Sequence, residues 1–176
     1  MSANLELDDI QYLVLARAPA ITGRYEFLSF KDPAAGRKWL SALIDKVPSV
    51  ADAKRKPDAD QRWISVAFTF NGLRALGVDE AALSAFPEEF RACMTARAEV
   101  LGDTGSHAPA NWKDGTGDPR LHAVVILFAR DTAAHGRCVA EHAKLLADCP
   151  GVEVISTLDL VATPPFDYAH DHFGYR

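Results

Sequence analysis

The chain has 176 residues, 48% hydrophobic and 24% charged, with a formal net charge of -5. This is the composition of a globular protein of one domain, long enough to bury roughly 70% of its unfolded surface, and it excludes disordered, collagen-like and disulfide-dense classes. A net negative charge offers no basic field to phosphate backbones or anionic lipid, so neither nucleic acid nor a membrane surface is an expected partner and a small or neutral ligand fits better.

Near the start, Glu6, Asp8 and Asp9 stand where a signal peptide would carry lysines, and no apolar h-region follows. Tyr25 to Phe30 alternates as a short strand, with Tyr25, Phe27 and Ser29 on one side and Glu26, Leu28 and Phe30 on the other. Asp32-Pro33 starts a helix, because the aspartate caps an orphan N–H and proline's missing N–H is not needed there. Trp39, Leu40, Leu43, Ile44 and Val47 recur at helical spacing until Pro48. Residues 49 to 61, with Lys54-Arg55-Lys56 between Asp52 and Asp58, read as a solvated loop whose charges cancel. Trp63 to Phe70 is a second strand, with Ile64, Val66, Phe68 and Phe70 on one face.

Asn71 to Gly77 reads as a short helical turn, and Asp79 opens a helical region broken at Pro87. From Glu88 to Leu101, the residues Phe90, Cys93, Met94, Ala98 and Leu101 make one stripe, interrupted by a snorkelling Arg97 and closed by Gly102. Residues 102 to 120 form a long surface insertion. Ala123 to Ala129 is continuously apolar, as expected of a central strand covered on both faces, and is far short of the roughly 20 residues of a membrane span. Asp131 caps a helix striped by Cys138, Val139, His142, Leu145, Leu146 and Cys149, and Pro150-Gly151 turns into a fourth strand, Val152 to Leu158.

Two strand-helix-strand units around one sheet make an α+β fold: a ferredoxin-like split βαβ, with an antiparallel sheet, helices on one face and a helical insertion between the second and third strands. Its expected core places Phe27, Val66, Phe68, Val125, Leu127 and Val154 in one sheet under Leu40, Leu43, Leu145 and Leu146. Residues 1–162 form this domain and 163–176 a linker.

The chemical motifs are sparse. Cys93, Cys138 and Cys149 lack C-x-x-C spacing and read as buried thiols of a cytoplasmic protein. Asp103-Thr104-Gly105-Ser106 spells the loop of aspartic proteases, whose chemistry wants a strand feeding the loop and a second aspartate from a symmetry mate or second lobe; here a helix feeds it, so a Gly-rich turn is the expected reading and an aspartic protease-like loop the remote alternative. His135 and His142 share a helix face about 10 Å apart, too far for one metal ion. His170 and His172, with Asp167 and Asp171, are better spaced but lack a clear third ligand. No phosphate-binding loop or nucleophile elbow occurs.

Several stretches together resemble dye-decolourising (DyP-type) haem peroxidases. They are Asp9-Ile10-Gln11, Tyr25-Glu26-Phe27-Leu28 followed by Asp32-Pro33-Ala34-Ala35, Val66 to Gly77, Phe86-Pro87-Glu88-Glu89-Phe90-Arg91 with Met94, Arg97 and Leu101-Gly102-Asp103, and His172-Phe173-Gly174-Tyr175-Arg176. Tyr12 stands where the family usually has glycine. The resemblance implies two ferredoxin-like halves with haem b between them, and hydrogen-peroxide-dependent oxidation of dyes and other bulky reductants. It also implies cofactor contacts at Phe173, Gly174, Tyr175 and Arg176, which begin the family's Gly-x-x-Asp-Gly motif. The distal aspartate, a distal arginine and the proximal histidine would lie after Arg176. The expectation is therefore a truncated or split N-terminal half, inactive as a lone chain, that binds haem weakly if at all and associates with its C-terminal half or with itself. The rival reading is a non-catalytic ferredoxin-like interaction module.

Overall fold

The structure, a computed structural model, describes residues 5–55, 62–113 and 115–161. In chain order its elements are α1 (Tyr12–Leu15), β1 (Thr22–Phe30), α2 (Pro33–Ile44), α3 (Val50–Arg55), β2 (Arg62–Phe68), α4 (Phe70–Ala75), α5 (Glu80–Ser84), α6 (Glu88–Ala96), α7 (Ala98–Leu101), β3 (Ala123–Ala129), α8 (Thr132–Ala147) and β4 (Val152–Val161). The strands form one sheet in the order β2-β3-β1-β4, and every pairing is antiparallel. This is the ferredoxin-like arrangement, with α2 and α8 packed side by side on one face.

Local chemistry explains the two main helices. Asp32 and Asp131 each accept a hydrogen bond from the backbone N–H three residues on, at 2.8 and 2.7 Å, which satisfies one orphan donor of each first turn. Trp39 and Leu43 of α2, with Cys138 and Leu145 of α8, point into a core completed by Leu28, Phe30, Ala123, Val125, Leu127 and Val152. Ile64, Val66 and Phe68 pack against its edge.

Four expectations are corrected. Phe27 lies in the sheet but on the face away from the helices, because it stands opposite Val124 and Ser156 while its neighbour Glu26 stands opposite Val125. Val154 is 41% exposed, beside a register shift between β1 and β4 at the sheet edge. In β3 burial alternates, so this inner strand is fully covered on one face only. Residues 50–55 are helical because Ser49 and Asp52 cap each other: the Asp52 carboxylate accepts from the Ser49 N–H, and Ser49 Oγ accepts from the Asp52 N–H at 3.0 Å. Lys56 to Gln61 lie outside the described residues.

The stripe from Glu88 to Leu101 is not one helix. It breaks at Cys93, with φ 61° and ψ 168°, and again at Arg97 before Gly102 closes α7 at φ 80°. The Cys93 values belong to a region that is essentially glycine-only. Cys93→Gly is therefore expected to raise the unfolding free energy measured in urea by about 1 kcal/mol, relieved strain outweighing glycine's chain entropy. Cys93→Ala, which keeps a Cβ, should bring no gain.

Gly72 fixes how the insertion leaves the sheet. Thr69 caps α4 by accepting from the Gly72 N–H at 3.0 Å, and the Thr69 N–H donates to the His122 carbonyl at 3.0 Å. A methyl group on Gly72 would collide with that carbonyl. Helix propensity alone favours Gly72→Ala by up to about 1 kcal/mol. The backbone contact reverses the sign, and thermal unfolding of Gly72→Ala should show a loss of about 1–3 kcal/mol.

Candidate functional site

One charged residue sits in the middle of the helix-facing side of β1. Glu26 is 5% exposed, and His142 of α8, 3% exposed, meets it with Nδ1 2.6 Å from Oε2. On the other side of the ring, Trp39 Nε1–H donates to His142 Nε2 at 3.1 Å. The indole can only donate, so Nε2 must accept and Nδ1 carries the hydrogen given to Glu26. Arg24 reaches Glu26 Oε1 at 4.0 Å and grips Asp159 of β4 with two hydrogen bonds, at 2.6 and 3.0 Å. The Arg24 guanidinium accordingly holds the Asp159 carboxyl below its ordinary value. With both ring nitrogens committed, His142 orients α8 on the sheet and has no lone pair for a metal.

A second histidine ties the insertion to β1. His122 Nδ1 accepts from the Phe30 N–H at 2.8 Å, and its ring lies 5.5 Å from that of Phe30. Burial lowers its pKa from the ordinary value, with nearby Asp118 opposing the shift. Because the folded pKa is depressed, the unfolded chain binds the proton more readily. Stability is full above the unfolded value of about 6.5 and falls as pH drops below it towards the folded pKa. His122→Asn, whose Oδ1 can accept the same hydrogen bond, should flatten the loss seen in chemical unfolding between about pH 7.5 and 5.5.

The sequence-derived candidates divide. Phe173, Gly174, Tyr175 and Arg176, together with Asp167, His170, Asp171 and His172, lie outside the described residues. Asp103 follows α7, so a helix does feed the Asp103-Thr104-Gly105 loop. His142 is buried as expected, and His135 lies on the same helix with a buried Nε2 that meets no hydrogen-bond partner among the described residues. Cys138 and Cys149 are buried, but Cys93 is only half-buried. Among the described residues no three His, Cys, Asp or Glu side chains cluster as a metal site. No helix among them is long and apolar enough to cross a membrane. Sequence reasoning missed the Glu26–His142–Trp39 arrangement. The available signal was a glutamate in phase with Leu28 and Phe30, on what proved to be the core side of a strand.

The opposite face of the sheet carries Tyr25 and Phe27 of β1, Val124, Ile126 and Phe128 of β3, and Leu158 of β4. Tyr25 and Phe128 meet edge to face at 6.0 Å. Phe27 is buried, Tyr25 and the three β3 residues are half-buried, and Leu158 is 36% exposed. Among the described residues no helix packs on this face as α2 and α8 pack on the other.

Comparison with known proteins places this geometry. The model of the DyP dimeric alpha+beta barrel domain matches residues 9–156. A crystal structure of DyP is similar over 98% of this chain and 37% of its own, with 19% identity and a TM-score of 0.80. An ancestral D-type dye decolorizing peroxidase matches over 97% of this chain and 38% of its own, at 24% identity and TM-score 0.80. The fungal DyP-type peroxidase from Auricularia auricula-judae matches over 98% and 37%, at 21% identity and TM-score 0.79. No curated protein sequence matches. The chain thus spans under two-fifths of the length of these solved structures, and it belongs to the DyP dimeric alpha+beta barrel domain family.

Proposed function

We propose that this chain serves as the N-terminal domain of a haem-dependent DyP-type peroxidase that uses hydrogen peroxide to oxidise dyes and other bulky reductants. The observation that carries the reading is the apolar sheet face opposite the helices, at Tyr25, Val124, Ile126, Phe128 and Leu158, which suits a second, sheet-bearing domain. In this reading residues 1–162 are the domain and 163–176 lead to its companion. Phe173, Gly174, Tyr175 and Arg176 would then approach the cofactor.

Two of the described histidines are held within the fold by their own hydrogen bonds and are not turned towards a cofactor. His142 has both nitrogens engaged, and Nδ1 of His122 is held by Phe30. The cavities beside α2, along α4 to α6 and between Asp45 and Glu141 contain neither histidine nor cysteine. No step of peroxide chemistry is therefore assigned to a described side chain, and the contribution of this domain is to build and support the companion's site.

The test titrates haem into the 176-residue chain and records the Soret band and peroxide-dependent dye oxidation, with and without a co-produced second domain of a DyP-type peroxidase. The chain alone should bind haem weakly and turn over no faster than free haem. Adding the second domain should produce a defined Soret band and dye oxidation. Association with that domain without haem uptake would favour a non-catalytic interaction module instead, and tight stoichiometric haem binding with peroxide turnover by the lone chain would overturn its assigned inactivity.

A further inference from the structure

The residues just before β3 join three parts of the fold. The His122 N–H donates to the Leu28 carbonyl at 2.8 Å, and the Thr69 hydroxyl donates to the Leu121 carbonyl at 2.7 Å. The His122 ring adds its own link to β1, accepting from the Phe30 N–H at Nδ1. Immediately upstream, residues 115–121 wind into a compact turn around Asp118. Its N–H donates to the Gly115 carbonyl and its carbonyl accepts from the Leu121 N–H, both at 3.0 Å, while its carboxylate holds the Arg120 guanidinium at 2.7 and 3.1 Å. None of these seven residues is buried, so little apolar contact pins the turn down. It lies against the open face of the sheet: a Cβ on Gly115 would stand 3.1 Å from that of Ser156, which is opposite Phe27 on that face.

A nitrogen that accepts a hydrogen bond loses that capacity when it takes a proton. Neutral His122 accepts at Nδ1 and carries its hydrogen on Nε2, whereas the imidazolium has two donors and no acceptor. Charging the ring therefore sets one N–H against another and leaves the Phe30 N–H without its partner. The surrounding charges offer the imidazolium a different place. On its own loop stand Asp118 and Arg120, bonded to each other, with Glu153 of β4 acting on Arg120 and Lys31 of β1 paired to Glu153. α4 brings its cap Thr69 and Gly72 to the junction, both uncharged. Asp118 is the group whose charge favours the protonated ring, against the burial that disfavours it.

We propose that His122 is a pH-sensitive latch. Neutral, it holds the turn of residues 115–121 to β1 through Phe30; charged, it lets go of Phe30, turns to Asp118 and frees the turn from Ser156, with the Thr69–Leu121 bond as the hinge. The released state binds the proton more readily than the latched one, so the turn is held above the ordinary histidine value of about 6.5 and comes away as the pH falls below it. The latch does not depend on the peroxidase reading, although the face it uncovers is the one offered there to a second domain.

NMR of the full chain at about pH 7.5 and about pH 4.5 tests it. Proton contacts between Gly115 and Ser156 should be present at the upper pH and lost at the lower, in step with shifts of the His122 ring and the Phe30 amide. Contacts between the ring and Asp118 should appear as the others fade, while the Trp39 indole and Leu145 methyl signals hold their positions. His122→Asn, which accepts the same hydrogen bond and does not titrate, should keep the Gly115–Ser156 contacts at both values. Contacts that persist at the lower pH in the unaltered chain, that fade equally in His122→Asn, or that vanish only together with the Trp39 and Leu145 signals would each overturn the latch. So would a charged ring that stays beside Phe30.

Discussion

His142→Leu is expected to lower stability by about 3–5 kcal/mol, the largest effect of any single change considered, even though it replaces a polar core residue by an apolar one of similar size. The cost comes from what is left behind. Glu26 would keep a carboxylate at 5% exposure with only Arg24, 4.0 Å away, to answer it, and the Trp39 N–H would lose its acceptor. Urea unfolding should show a reduced midpoint with an unchanged slope. The double variant Glu26→Leu/His142→Leu removes both members together and should recover much of the loss. If the double variant is as damaged as the single one, packing rather than an orphaned charge accounts for the effect, and the polar group is not the device described above.

Leu43→Ala should cost about 2–4 kcal/mol, through lost burial and the cavity it opens. Leu43 is 1% exposed between α2 and the sheet, whereas its neighbour Ile44 is 60% exposed. Ile44→Ala should stay within about 1 kcal/mol. Thermal unfolding of the two variants side by side checks the placement of α2, and equal losses would mean that the helix is rotated from the position described.

That contrast marks what could be read without coordinates. Spacing identified Trp39, Leu40, Leu43, Ile44 and Val47 as one stripe, but a stripe about 100° wide has margins, and periodicity does not say which member falls on them. Asp32-Pro33 and Asp131 were legible because capping is local chemistry, and Ala123–Ala129 because a short apolar run has clear ends. The face of Phe27 was not legible. Both phases of β1 carry apolar residues, and the choice between them is made by partners about a hundred residues away. Cys93 escaped notice because a backbone angle imposed by surrounding contacts leaves no trace in residue type unless the residue is glycine. Glu26 was visible but unexplained, since its value depends on a histidine brought to it by a different helix.

The strand order also governs how the chain can come together in time. No strand is joined to its sheet neighbour by a tight turn: β1 pairs only with β3 and β4, and β2 reaches β3 across the whole helical insertion of residues 69–122. Closing loops of this length adds only a logarithmic entropy cost, so the insertion weighs little on equilibrium stability. Its weight falls on rate, because almost no sheet contact is local and folding slows as the average separation of contacting residues grows. During synthesis β1 and β2 emerge long before either has a partner, with Leu28, Phe30, Val66 and Phe68 uncovered until β3 arrives. For that interval the nascent chain depends on α2 folding over its own first strand, and a ribosome that paused within the insertion would lengthen the period in which these apolar edges could meet the wrong partner.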